Sequence, residues 1–194
     1  MLVLASRSPR RRDILQQAGI PFVVRPMEVD ETPLPGEPAR GYVARIAREK
    51  ANAAAGVTAN GEIVLAADTT VTIHGEILGK PVDTGDARRM LHMLSGRRHA
   101  VLTGVCIRSA SRTIEDCAET GVWFARLSPE EIADYAASGE PMDKAGAYAI
   151  QGLASKFVER IEGCYFNVMG LPLARLWSLL REFDWQSRTE SANS

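Results

Sequence analysis

The stretch HAVLTGVCIRSASRTIEDCAETGVWFAR, residues 99–126, reads as two runs rich in strand-forming residues, near 99–108 and 112–126. Valine, isoleucine, threonine and aromatic side chains alternate along both runs, and the polar turn Ser-Ala-Ser-Arg joins them. Strands linked by so short a turn must be antiparallel. That pair decides the fold class, because everything around it interleaves strand with helix.

Upstream, MLVLASRSPRRRDILQQAG (1–19) is an apolar strand, Met1 to Ala5, followed by Ser8 as N-cap and Pro9 at the first position of a helix that Gly19 stops. Phe22 to Arg25 reads as a second strand, and MEVDETPLPGEP (27–38) as an acidic, proline-rich loop. An amphipathic helix follows from about Ala39 to Ala55, with Val43, Ile46, Ala47 and Ala51 on one side. GEIVLAADTTVTIHGEILGKP (61–81) holds a strand, Ile63 to Ala67, then another strand and a tight turn at His74-Gly75. Helix signals recur at ARRMLHMLSG (87–96) and at SPEEIADYAASG (128–139), where Ser128 and Glu131 form a capping box. After the glycine-rich KAGAYAIQG (144–152), a strand from Phe157 to Ile161 precedes a last helix in LPLARLWSLLREF (171–183). The expected fold is α/β, a mixed twisted sheet flanked by helices, in one domain over 1–185. A smaller lobe is expected at about 106–140, and residues 186–194 read as a disordered tail.

With 194 residues, 45% hydrophobic and 24% charged, the chain has the composition of an ordinary globular protein. A net charge of −1 argues against generic nucleic-acid binding. No apolar run is long enough to span a membrane, and LVLAS is too short for a signal-peptide core. Cys106, Cys117 and Cys164 show no CxxC or CxxH spacing, which reads as free thiols in a reducing compartment. A cytoplasmic location is expected.

The chemistry-bearing residues are cations and carboxylates. Arg10, Arg11 and Arg12 fall in the first turn of a helix, a position whose dipole favours anions. With the Ser6 hydroxyl, Arg10 and Arg11 suit phosphate oxygens; the alternative is a solvated face paired with carboxylates such as Asp13. Asp68 stands where the apolar run of LAADTTV ends, either to hold a divalent cation or take a proton from water, or as a turn aspartate capping nearby N–H groups. HGEILGKP is not a P-loop, since its glycine spacing is one residue short and Pro81 replaces the metal-binding hydroxyl. Lys80 can nonetheless reach a phosphate. Arg45 and Glu49 form an i,i+4 surface pair, whereas Lys50 lies near the border of the apolar face. Of the loop carboxylates Glu28, Asp30 and Glu31, one is a candidate to join Asp68 on magnesium. The histidines lack zinc spacing, and no GxSxG nucleophile motif is present.

Taken in order, SRSPRRRDIL, ARIAREKA, ADTTV, GKP, LSGRRHAVLTGV, KAGAYAIQG and GCYFNVMGLPL resemble the Maf-like nucleotide pyrophosphatases from Leu2 to about Leu180. The resemblance implies a fold like that of inosine triphosphate pyrophosphatase, with two lobes and a nucleotide cleft between them. It also implies hydrolysis of nucleoside triphosphates to monophosphate and pyrophosphate with Mg2+ or Mn2+, in a cytoplasmic homodimer. On the family's motifs, Ser6, Arg10, Arg11, Lys50 and Lys80 would handle phosphates, Glu31 the metal, and Asp68 the proton or the metal. Arg12 falls where the family varies. Thr69 and Ala147-Tyr148-Ala149-Ile150-Gln151-Gly152 are similar to the dTTP and UTP branch, with Thr69 and Gln151 set against the substrate. The branch acting on 7-methyl-GTP resembles a different pattern, with Gln after the Asp and Ser-Glu-Gly in place of Ile-Gln-Gly. Two rival readings are a pyrophosphatase for another base and a nucleotide-binding regulator of septum formation.

Overall fold

A computed structural model of the chain describes residues 1–57, 59, 61–183 and 185, so the tail expected at 186–194 lies outside the described residues. In chain order the elements are β1 (Leu2–Leu4), α1 (Pro9–Gln17), β2 (Phe22–Val24), α2 (Ala39–Ala55), β3 (Ile63–Ile73), β4 (Glu76–Leu78) and α3 (Thr84–Leu94). They continue with β5 (Arg98–Arg108), β6 (Thr113–Phe124), α4 (Pro129–Ala137), β7 (Val158–Glu162), α5 (Tyr165–Val168) and α6 (Leu173–Glu182). The capping box of α4 forms as expected, Ser128 accepting from the Glu131 N–H while the Glu131 carboxylate accepts from Ser128.

The strands make one mixed sheet in the order β2-β1-β3-β5-β6-β7, with β4 on β3. β2, β1 and β3 are parallel neighbours, and the β5–β6 pair is antiparallel from Arg98↔Trp123 to Arg108↔Thr113, as the opening stretch requires. β3 is the central strand and departs from the expected one. It does not end near Asp68 but runs unbroken through it to Ile73, because the β-branched Thr69, Thr70, Val71 and Thr72 keep pairing with β5. Asp68 is therefore a mid-strand residue opposite Gly104, not a residue at a strand end.

What opens the sheet at that level is its other edge. β1 accompanies β3 only as far as Leu65, and β4 begins its pairing at Val71. Both faces of β3 turn polar in the interval. On one face Leu65 and Ala67 join a cluster with α1 and α6, and Val71 and Ile73 join a second cluster with α3 and α4; Thr69 separates them. On the other face Val64 and Ala66 pack under α2, and Asp68 and Thr70 come next. Within 106–140, Ile107 belongs to the first cluster, while Val122, Phe124, Leu127, Ile132, Tyr135 and Ala136 belong to the second, which gathers residues from Val71 to Phe157.

Helix α2 lies unusually close to the sheet. A Cβ on Gly104 would meet the Val43 carbonyl oxygen at 2.4 Å, so only glycine lets the helix backbone rest on β5. This contact, on the residue paired with Asp68, brings the α2 side chains within reach of that carboxylate.

His99, at the start of β5, is buried in T-shaped contacts with Phe124 and Tyr148 at 5.0 and 5.4 Å, and its Nε2 lies 2.9 Å from the Tyr148 hydroxyl. Burial lowers its pKa to about 4. An unfolded histidine takes up its proton near 6.5, so stability complete above that pH is lost as pH falls toward about 4. The loss should be on the order of 3 kcal/mol. Urea unfolding between pH 4 and 7 measures it, and a His99→Leu variant should lose that part of the slope.

Candidate active site

The gap in the sheet edge opens into a cleft of about 550 Å3, within the usual range for small-molecule sites. Ser6, Arg10, Arg11, Glu31, Lys50 and Asp68 line it, as do Thr69, Lys80 and Gln151, so all nine residues singled out in the sequence meet in one place.

Lys50 is the centre of the arrangement. The stripe Tyr42, Val43, Ile46, Ala47, Lys50, Ala51 and Ala54 faces the sheet, so the lysine is carried inward with the apolar residues and keeps only 8% exposure. Its Nζ lies 2.8 Å from Asp68 Oδ1 and 2.6 Å from Glu31 Oε1. The neighbouring loop acids go elsewhere: Glu28 pairs with Arg7, and Asp30 accepts from the Thr32 N–H.

The two carboxylates are driven apart in acidity. Burial raises the Asp68 pKa, against the charges of Lys50 and Arg11 and the Lys50 hydrogen bond. Burial also acts upward on Glu31, but the hydrogen bond and charge of Lys50, helped by Lys80 and Arg11, outweigh it and hold the carboxyl below its ordinary value. Such divergence makes Asp68 the more basic carboxylate of the pair and Glu31 the more acidic.

The two arginines also differ. Arg11 is buried and donates from Nε to the Gly170 carbonyl at 2.8 Å, from Nη1 to Ser6 Oγ at 2.9 Å and from Nη2 to Thr69 Oγ1 at 3.1 Å. It braces three segments as well as charging the cleft. Burial lowers its pKa, while Asp68 counteracts that shift. Arg10 has the less committed guanidinium, its acidic partner Asp143 standing 3.7 Å away. Arg12 is exposed on the outer face of α1 and does not line the cleft. Ser8 is the N-cap of α1 without a side-chain bond to it, and its own N–H donates to Ser6 Oγ at 3.2 Å. Among the described residues no side chain caps the start of α1, and its first turn carries no acidic residue, which leaves that end favourable to an anion.

Further residues line the cleft beyond those nine. Tyr42 donates its hydroxyl to the Glu31 carbonyl at 2.9 Å, fixing the loop that brings Glu31 to Lys50. Its place one helical turn before Ile46 in the apolar stripe was the available signal. Lys144 and Tyr148 enter from the glycine-rich stretch, and Thr70 adds a buried hydroxyl whose Oγ1 has no hydrogen-bond partner among the described residues.

A divalent cation can be tested against this donor set. Glu31 and Asp68 offer hard carboxylate oxygens on one side of the cleft, and magnesium is typically held by one or two carboxylates plus substrate phosphates. Among the described residues no group of three or more His, Cys, Asp or Glu side chains could hold an ion by itself. The residues fit a cation that arrives with a phosphate ligand.

A mixed α/β sheet whose interrupted edge opens into a cation-rich, carboxylate-bottomed cleft defines an anion-handling α/β protein. Its fold is shared with solved structures: the Ham1 protein of Staphylococcus aureus gives a TM-score of 0.52 at 15% identity, covering 94% of this chain and 98% of that one. A HAM1 protein from Coxiella burnetii gives 0.53 at 18% identity, covering 93% and 98%. The sequence is more specific still: the family model described as Maf-like protein matches residues 1–183, and the chain belongs to that family. A relative from Anaeromyxobacter sp. (strain Fw109-5), named dTTP/UTP pyrophosphatase, is 56% identical over 185 residues, covering 93% of this chain and 88% of its own. One of the same name from Syntrophomonas wolfei is 51% identical over 179 residues, covering 91% and 94%.

Proposed function

We propose that this protein is a nucleoside triphosphate pyrophosphatase acting on dTTP and UTP, yielding nucleoside monophosphate and pyrophosphate. The observation that carries the reading is the Glu31–Lys50–Asp68 constellation at the floor of a cationic cleft, in a chain whose relatives are named for that activity. The triphosphate lies along the start of α1, against Ser6, Arg10 and Lys80. Asp68 accepts the proton of a water whose oxygen bonds to the α-phosphorus as the bridge to the β-phosphate breaks. Arg10, Arg11, Lys50 and Lys80 offset the charge gathering on the departing pyrophosphate. Glu31, joined by Asp68, would hold Mg2+ or Mn2+, which would supply Lewis-acid neutralisation of the phosphates. The Gln151 amide, with both donor and acceptor, matches a uracil or thymine edge, and Thr69 completes that selection.

The test is a panel of dTTP, UTP, CTP, GTP and 7-methyl-GTP with each metal, the products separated by ion exchange. UMP and dTMP with pyrophosphate are expected. UDP with orthophosphate, or no turnover of any nucleotide, would overturn the reading, and preference for 7-methyl-GTP would transfer it to the other branch. The cytoplasmic homodimer belongs to the same proposal and rests on the family resemblance; among the described residues no helix is long and apolar enough to cross a membrane.

A further inference from the structure

Ala149 and Gln151 line the cleft from residues 149–153, Ala-Ile-Gln-Gly-Leu, a wall segment that is neither helix nor strand until Leu153 opens a short 3-10 turn. Gln151 sits at its middle, exposed toward the cleft. A side-chain amide selects a base only if the backbone that carries it is placed, because a mobile amide offers donor or acceptor to any partner. The structure contains a device that anchors that backbone on both sides of Gln151.

Tyr135 projects from α4 with 4% exposure, its ring edge-on to Phe157 at 5.4 Å. Its hydroxyl accepts the Ala149 N–H at 3.2 Å and donates to Glu140 Oε1 at 2.7 Å. The other carboxylate oxygen, Oε2, accepts the Leu153 N–H at 3.0 Å. One tyrosine–glutamate relay thus ties both ends of the wall, with Gln151 midway between the anchors. The carboxylate also lies against the backbone between them, since a Cβ on Gly152 would come within 2.2 Å of Glu140 Oε2. Glu140 further opens the turn Glu140–Asp143, whose Asp143 faces Arg10.

We infer that Tyr135 and Glu140 are positioning residues that fix the Ala149–Leu153 wall and thereby the base selectivity of the cleft. The inference rests on the proposed role of Gln151. Neither side chain is among the groups lining the cleft, so both act through the wall.

Three variants disturb the relay differently. Tyr135→Phe keeps the ring in its apolar cluster and removes only the hydroxyl. Gly152→Ala deletes no polar group and displaces the flexible Glu140 carboxylate. Glu140→Gln is conservative, retaining an acceptor for the Leu153 N–H and a donor for the tyrosine oxygen. The measurements are kcat and KM for UTP and CTP, with thermal midpoints. Tyr135→Phe and Gly152→Ala should raise KM for UTP and reduce the UTP-over-CTP preference by about five- to tenfold, with kcat within about twofold. Glu140→Gln should recover most of the preference. Lower midpoints with unchanged KM and preference would make the relay a packing feature and overturn the inference. Gln151→Ala separates the two levels. If it abolishes the preference while the relay variants do not, the inference alone fails; if it leaves the preference intact, the role of Gln151 fails and the inference with it.

Discussion

Replacing Asp68 by asparagine is expected to lower kcat for UTP by about 10²- to 10⁴-fold, the usual contribution of a positioned general base. The thermal midpoint should not fall. Burial already raises the Asp68 pKa, so its charged form is a liability to the folded state at neutral pH, and an isosteric neutral side chain removes it. Lys50 keeps Glu31 as its counter-ion in the variant. Steady-state rates by pyrophosphate release, with a melting curve for each protein, check both statements. Near-normal turnover in a folded Asp68→Asn variant would remove Asp68 from the chemistry.

Lys50→Met is expected to cost both activity and stability. The methionine fills the lysine's place in the α2 stripe but leaves Asp68 buried and unpaired beside Glu31. Loss of one partner of a buried pair costs about 3–5 kcal/mol when the remaining charge cannot be neutralised. Asp68 can be, because the loss of Lys50 pushes its already raised pKa higher still. The sign of the pH dependence follows. A carboxyl whose folded pKa is raised binds more protons folded than unfolded, so the deficit is largest at neutral pH and shrinks as pH falls toward the carboxyl's ordinary range. Activity should fall by about 10²-fold or more at neutral pH, since a protonated Asp68 accepts no proton. Its acidic limb should move to higher pH. Denaturant midpoints and kcat/KM measured from pH 5 to 9 report both effects, and a variant as stable at pH 8 as the parent would contradict the paired arrangement.

Much of the fold was legible because its signals are local. The 99–126 hairpin, the bounds of α2 and the α4 capping box depend on residues within a few positions of one another. Lys50 was legible for the same reason, lying at the edge of a 3.6-residue stripe that must face the sheet. Asp68 was located but misplaced on its strand. An end of apolar alternation reads as the end of a strand, whereas three threonines and a valine continue the ladder while changing its surface. The choice of Glu31 among the loop acids came from family resemblance. In the structure it depends on the Tyr42 bond that brings the loop to α2, which no spacing along the chain announces.

The sequence by itself determined the mixed α/β class and the set of cations and carboxylates, because secondary structure and residue chemistry are encoded by near neighbours. Tertiary structure decided what each group does. It left the edge of β3 open between β1 and β4, pressed α2 onto Gly104 so that Lys50 could hold two carboxylates, and drove the acidities of Asp68 and Glu31 in opposite directions. It also divided the arginines, one braced on a carbonyl 159 residues away and the other left to face the cleft. Burial and pairing set these properties, and both are sums over residues far apart in the chain that exist only once the chain is packed.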